Sequence, residues 1–358
     1  MTLLHSLPLH AYTRQTFCQL WKSQAIGLRR FTHASPCSLD SGTKPVDTSS
    51  ARQQMIDQWA LSLSSQRLLA HDTITPSPLN LLANTLNEQT VPYKHNVLPA
   101  PGTIVPATWH YIYFPPRTTE SSLAHDGYES EFFPPAPFTQ RMWAGATLTY
   151  NPHFPPLAVD DSVTMATYLD HCDFRSSSRL GDAVFVYLNK DIFRQDAARD
   201  TDWVMREQRC LVYATEQSDT SATKFIKARK TPEFFLKVNP TAVQVFRYSA
   251  LTFNAHRIHY DQHYAQTYEH HPACLVQGPL SSTWMLTLLR THLAEKHNLC
   301  LDAAISSFDY RCLAPLYVNQ PFTVCGRRSQ DNHYDLWITN HTDHLAVKGS
   351  VTLTLGLD

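Results

Sequence analysis

The chain has no surplus of positive charge, no cysteine pair spaced C-x-x-C and no apolar run long enough to span a bilayer. Its 30 Lys and Arg are balanced by 31 Asp and Glu, so the body of the protein lacks the positive excess on which nucleic-acid binding draws. The eight cysteines form neither a zinc-ribbon pattern nor the dense framework of a small secreted domain. They read as reduced thiols of an intracellular protein. No stretch approaches the roughly 18 apolar residues of a membrane helix, so no span is expected. Neither H-E-x-x-H nor G-x-S-x-G occurs, which removes the simplest zinc-protease and serine-hydrolase readings. Acidic residues are also absent before Asp40, whereas Arg14, Lys22, Arg29 and Arg30 all fall in that stretch. Its "FCQLWKSQAIGLRRF" fits a short basic amphipathic helix, and no continuous apolar secretory core is present. Residues 1–45 are therefore expected to be a mitochondrial transit peptide.

What is present suits a large folded body. The 358 residues are 43% hydrophobic and 17% charged, enough core for two domains. Helical spacing runs through "ARQQMIDQWALSLSSQRLLA" (51–70) and "SPLNLLANTLN" (77–87). Residues 91–140, rich in proline and aromatics, read as ordered loops, with a strand or helix at "TWHYIYF". Two strings then resemble each other at an offset of 159: "PPLAVDDSVTM", ending at Met165, and "APLYVNQPFTV", ending at Val324. Each precedes two strand-like runs, 181–193 and 208–216 in the first case, 334–340 and 346–357 in the second. The last run alternates Val347, Gly349, Val351, Leu353 and Leu355, the period of a half-buried antiparallel strand. A duplicated α+β unit follows, with the break near 217–235. In the second unit, "VQVFRYSALTF" (243–253) reads as a strand. Asp261 reads as the N-cap of a short helix, and "LVQGPLSSTWMLTLLRTHLAEKH" (275–297) as a long buried helix opened by Gly278 and Pro279. A sheet wrapped on one buried helix is a hotdog arrangement.

The segment "FNAHRIHYDQHYA" holds the chemistry. His256 and His259 stand three apart, with His263, His270 and His271 following. On a turn or strand end such spacing diverges, so no metal site is expected, and no cofactor motif occurs. "FNAHRIHYDQHYA", "LVQGPL" and "FDYRCLAPLY" resemble the MaoC-like, or hydratase-2, branch of hotdog proteins. The nearest likeness is to the mitochondrial hydroxyacyl-thioester dehydratases type 2. "RMWAGATL" (141–148) and "REQRCLVY" (206–213) resemble that family's N-terminal half. The resemblance implies an α+β double hotdog, two antiparallel sheets each wrapped on a central helix. Residues 50–216 would form a substrate-tunnel hotdog and 235–358 a catalytic one. It also implies reversible dehydration of (3R)-hydroxyacyl thioesters to trans-2-enoyl thioesters in mitochondrial, carrier-protein-dependent fatty-acid synthesis. The family motif is approximately Asp-x-Asn-Pro-Ile-His. It sets His259 on the family histidine, Asn254 on the catalytic aspartate, His256 on the asparagine and Arg257 on the proline. Gln277 stands where the family usually has histidine.

Dehydration needs a base for the α-proton, a donor for the thioester oxygen and a proton for the departing hydroxyl. Histidine, with an ordinary pKa of about 6.5, suits the first task, and His259 is the residue expected to perform it. The Asn254 amide is expected to hold the β-hydroxyl, and the Gly278 N–H to serve the developing oxyanion at a helix start. Arg257, His256, Tyr248 and Gln277 are expected beside the substrate, with Arg257 on the carrier's phosphate or pantetheine and His256 bonding the turn. Trp143, Glu207 and Gln208 are expected to support the tunnel, and Tyr264 to be core. The expected partner is an acyl thioester of acyl carrier protein or coenzyme A, bound by a monomer or a homodimer. Two rivals remain open: a coenzyme-A-linked hydratase of the mesaconyl type and an inactive thioester-binding protein. A dicarboxylic acyl group calls for an extra arginine in the pocket, whereas a long tunnel calls for a lining of Phe and Leu.

Overall fold

The computed structural model describes residues 48–177, 181–215 and 226–354. The leader 1–45, Glu216 and Leu355 lie outside them. The chain opens with α1 (Thr48–Leu63), β1 (Leu68–Thr73) and α2 (Pro76–Leu86). Four long strands follow: β2 (Gln140–Tyr150), β3 (Ser162–Ser177), β4 (Gly181–Arg194) and β5 (Trp203–Ala214). The second half runs β6 (Phe234–Val238), α3 (Ala242–Leu251), α4 (Gln262–Thr267), α5 (Gly278–His297) and α6 (Leu301–Ala304). It ends with β7 (Ile305–Cys312), β8 (Phe322–Gln330), β9 (His333–Thr339) and β10 (Leu345–Leu353).

All ten strands join one antiparallel sheet in the order β1-β3-β4-β5-β2-β7-β10-β9-β8-β6. Read outward from the centre, each half repeats one pattern: second, fifth, fourth, third and first strand. The two similar strings found in the sequence lead into β3 and β8, which hold equivalent places. The halves meet where β2 pairs β7, from Gly145 opposite Arg311 to Thr149 opposite Ser307. The two expected sheets are thus continuous. Between β6 and β7 lies the expected long helix α5, 20 residues. Between β1 and β2 the only α-helix among the described residues is α2, 11 residues long, followed by loops and a 3₁₀ turn at Trp109–Ile112.

Two expectations are corrected. The 51–70 helix stops at Leu63, and Leu68–Thr73 leaves it to pair with β3. Residues 243–253 form no strand: Ala242–Leu251 is the helix α3. The Thr241 side chain caps it by accepting the Gln244 N–H at 3.1 Å. Val245, Tyr248 and Ser249 are buried while Val243 and Phe246 are exposed. The buried residues thus follow a helical face, and the β-branched and aromatic content of the run misleads.

The core gathers on α5, whose Leu280, Trp284, Met285, Leu288 and Leu289 are all buried. The face expected of the last strand is there too: Val347, Val351 and Leu353 are buried. One charge goes inside with α5. Arg290 donates from Nε and Nη2 to the two carboxylate oxygens of Asp302 at 2.9 and 3.0 Å. Asp302 also accepts the Ala107 N–H from the first half at 2.8 Å. Removing one partner of such a pair strands a buried charge. Asp302→Ala is expected to cost about 3–5 kcal/mol of stability, read as a lower denaturant midpoint. Asp302→Asn, which keeps an acceptor for Ala107, should cost less.

Candidate active site

The histidine segment is a tight loop between α3 and α4. Asn254 turns its Oδ1 back onto the His256 N–H at 3.0 Å, closing a local side-chain turn. Arg257–His259 is a single 3₁₀ turn. Asp261 then caps α4 by accepting the Tyr264 N–H at 2.9 Å, as expected. Arg257 bends onto Asp261, Nη2 to Oδ2 at 2.8 Å, and stacks over Tyr264.

The strand-like residues 274–276 anchor this loop. Leu275 donates its N–H to the Ile258 carbonyl at 2.9 Å. His259 Nδ1 lies 3.0 Å from the Leu275 carbonyl oxygen. A carbonyl only accepts, so Nδ1 carries the proton and Nε2 keeps its lone pair. Burial pulls the His259 pKa down to about 4, against the raising effect of the Leu275 bond. The imidazole is therefore a neutral base at physiological pH.

Two residues beyond Val276, α5 begins. Gln277 is its N-cap and is buried. Its Nε2 donates to the Val245 carbonyl and to Ser249 Oγ. Gly278 packs against Trp143 of β2 so closely that a Cβ there would lie 2.4 Å from the indole Cδ1. Glycine alone permits this approach. The Trp143 Nε1 donates to Tyr310 OH at 3.0 Å, which fixes the ring across the β2–β7 seam.

The first half also reaches the loop through the turn Asp126–Gly127–Tyr128. The Asp126 carbonyl accepts the Arg257 N–H at 2.9 Å. Gly127, at φ +83, leaves room for the Ala255 carbonyl. The buried Asp126 carboxylate lies 3.6 Å from His256 Nε2 and 3.7 Å from Arg141 Nε. The His256 and His259 ring centres are 5.5 Å apart. Burial first, then the neighbouring His259 and Arg141, push the His256 pKa well below its ordinary value.

These groups share a cavity of about 1600 Å³. Asn254, His256, His259, Tyr248, Gln277 and Gly278 all line it, as do Trp143 and Glu207. Arg257 does not, because its pairing with Asp261 turns it away. Gln208 points to the other face of β5, where it donates to Asp170.

Residues 108–318 match the family described as hydroxyacyl-thioester dehydratase type 2. The chain belongs to that family. Mesaconyl-C(4)-CoA hydratase of Chloroflexus aurantiacus is 31% identical over 236 residues, covering 65% of this chain and 78% of that protein. The mitochondrial hydroxyacyl-thioester dehydratase type 2 of Schizosaccharomyces pombe is 28% identical over 303 residues, 78% of this chain and 95% of that one. The solved structure of a MaoC-like dehydratase from Phytophthora capsici superposes with a TM-score of 0.58 at 10% identity, over 83% of this chain and 98% of that one. The shared fold is the hotdog dehydratase fold expected from the sequence.

In this dehydratase several residues of the site carried no local sequence signal: Asp126 behind the histidine loop, and Arg141, Lys190 and Arg209 on the cavity wall. Only the "DGY" turn hints at the first. Each meets the loop or the cavity through pairing distant in the chain.

The histidines also set how the fold responds to acid. Unfolded histidine titrates near 6.5, and folded His259 near 4. Between those values the unfolded chain binds a proton that the folded chain refuses, so stability falls as pH drops through that window. His259 contributes up to about 3 kcal/mol of that loss, at about 1.4 kcal/mol per unit, and His256 adds to it in the same direction. Denaturant unfolding at pH 7 and pH 4 should show the decline, and His259→Gln should make it shallower. An unchanged slope in that variant would remove His259 from the account.

Proposed function

We propose that this protein reversibly dehydrates (3R)-hydroxyacyl thioesters to trans-2-enoyl thioesters, with His259 as the base. The observation that carries the reading is the Nδ1–H bond to Leu275, which leaves the basic Nε2 in the same cavity as the start of α5. In the dehydration direction Nε2 takes the proton from C2, and the electron pair moves into the thioester carbonyl. The Gly278 N–H, at the positive end of α5, meets the developing oxyanion. The C3–O bond then breaks, and the same proton leaves with the hydroxyl as water. The Asn254 Oδ1 is committed to its turn, so its NH₂ is the group that holds the β-hydroxyl oxygen.

The name of the Schizosaccharomyces pombe relative, a mitochondrial hydroxyacyl-thioester dehydratase, supports the thioester substrate, and the family resemblance of the sequence supports acyl carrier protein as the carrier in mitochondrial fatty-acid synthesis. That name and the name of the Saccharomyces cerevisiae relative also support a mitochondrial location, the matrix by preference, in keeping with the acid-poor composition of residues 1–45. A second reading, a coenzyme-A-linked hydratase of a polar or dicarboxylic acyl group, is favoured by the cavity wall. Lys190 and Arg209 both line it. Arg209 is held by Glu207 at 2.8 Å, but among the described residues the Lys190 ammonium has only Thr167 as hydrogen-bond partner. No carboxylate lies within ion-pair distance of Lys190 among the described residues. Burial, then Arg209, pulls the Lys190 pKa down to about 8.

His259→Ala should cut kcat/KM for hydration of crotonyl-CoA by roughly 10²–10⁴ while the variant still folds, read as a cooperative thermal melt. Equal, negligible turnover of crotonyl and longer enoyl thioesters by both forms would point to a binding role instead. Enoyl-CoA substrates ending in carboxylate, set against methyl-ended ones of equal length, separate the two readings of the acyl group. Under the second reading the carboxylate-ended series is preferred, and Lys190→Met loses roughly tenfold or more of that preference.

A further inference from the structure

Position 254 is an asparagine, which cannot exchange a proton usefully, yet the loop does not lack a carboxylate. Asp126 comes from the other half of the chain with its side chain buried. One carboxylate oxygen is spent on its own turn, Oδ1 accepting the Tyr128 N–H at 3.1 Å. The other, Oδ2, has no hydrogen-bond partner among the described residues. It stands 3.6 Å from His256 Nε2 and 3.7 Å from Arg141 Nε, a few tenths of an ångström beyond hydrogen-bond distance for each. The backbone around the pair is already locked, through the Arg257 N–H on the Asp126 carbonyl and the Gly127 contact with Ala255. Hydrogen bonds of a catalytic site are commonly long before substrate arrives and shorten in the complex.

We propose that Asp126 is a positioning residue for a second catalytic imidazole, His256, and that this pair stands in for the aspartate missing at 254. The carboxylate accepts from Nε2–H of His256. The neutral ring then presents Nδ1, which has no hydrogen-bond partner among the described residues, as the acceptor for the O–H of the β-hydroxyl or of incoming water. His256 lines the cavity beside His259, so one ring faces the α-proton and the other the oxygen at C3. Arg141 Nε faces the same oxygen of Asp126, and its guanidinium lies over the rings of Tyr128 and Phe133. The inference rests on the dehydratase reading for its substrate and on nothing else in that reading.

The test uses the full chain. Asp126→Asn presents an NH₂ that favours the opposite ring tautomer, as replacing a histidine's carboxylate partner does elsewhere. Its kcat for crotonyl-CoA hydration should fall roughly a hundredfold or more, with KM within a few-fold. His256→Gln should do the same, and the double variant should be no slower than His256→Gln alone. In ¹⁵N-histidine spectra, assigned by loss of the His256 signals in His256→Gln, the native ring should be the Nε2–H tautomer and Asp126→Asn should change it. If Asp126→Asn does not fold, pairing it with Arg141→Met removes both buried charges and carries the same comparison. Native turnover in Asp126→Asn, additive losses in the double variant, or an unchanged tautomer would each overturn the proposal while leaving the dehydratase reading in place. An inactive native protein that still shows the Nε2–H tautomer would instead sink the dehydratase reading and, with it, the catalytic role of His256.

Discussion

The contact between Gly278 and Trp143 sets the geometry of the whole site. A helix start is useful to an oxyanion only if substrate can reach its free N–H groups. The start of α5 is pressed onto an indole from the other half of the sheet, with no room for a β-carbon. That indole is tied to Tyr310 on β7 and covered by Arg209 at 4.5 Å. The place where α5 can begin is thereby fixed by both halves together. The Gln277 side chain, bonded to Val245 and Ser249 of α3, fixes the same point from the second half. The duplicated strand order consequently yields one site: the helix comes from one copy and the surface it stops against from the other.

Charge is treated differently in the two parts of the interior. Under α5, Arg290 and Asp302 satisfy each other through two hydrogen bonds, the condition under which a buried ion pair is tolerated. Along the cavity wall, Glu207 and Arg209 are joined in the same way at 2.8 and 3.1 Å. Arg209 and His110 hold the Glu207 carboxyl well below the usual range in spite of its burial. Lys190, His256, His259 and Asp126, which border the cavity or stand directly behind it, lack such closure. At the cavity, open valences collect where chemistry is expected.

Much of this was legible in the sequence because it depends on local spacing. The period of α5, the cap at Asp261 and the alternating face of the last strand each involve residues a turn or less apart. The short similarity at an offset of 159 revealed the duplication because β3 and β8 must leave their preceding turns in the same way. The resemblance carried His259, Asn254 and Gly278 to one cavity. Other features resisted. Residues 243–253 mix β-branched and aromatic side chains on an exposed face with others on a buried one, so composition pointed to a strand and only burial shows the helix. Arg257 looked like a free cation, but Asp261, four residues on, captures it, a pairing that helix-like spacing permits and a substrate role does not require. Lys190, Arg209 and Asp126 carried no signal because β4–β5 register and the 124–128 turn bring them in from far along the chain.

The asymmetry between the halves follows from what connects their first two strands. In the second half that connection includes a 20-residue helix with a buried amide end. In the first half it holds α2 and then the long, proline-rich stretch through 139, which has no comparable helix. Proline removes amide donors and resists helix, so this segment cannot supply an oxyanion donor in the same manner. It supplies walls instead. Tyr111, Tyr128 and Glu129 line the cavity, and the turn at Asp126 reaches across to the histidine loop. A copy that gives up its own helix is free to wrap the helix of the other, and wrapping brings a carboxylate within reach of His256. The want of a comparable helix in one half and the support given to the site in the other thus both lie in the same long loop.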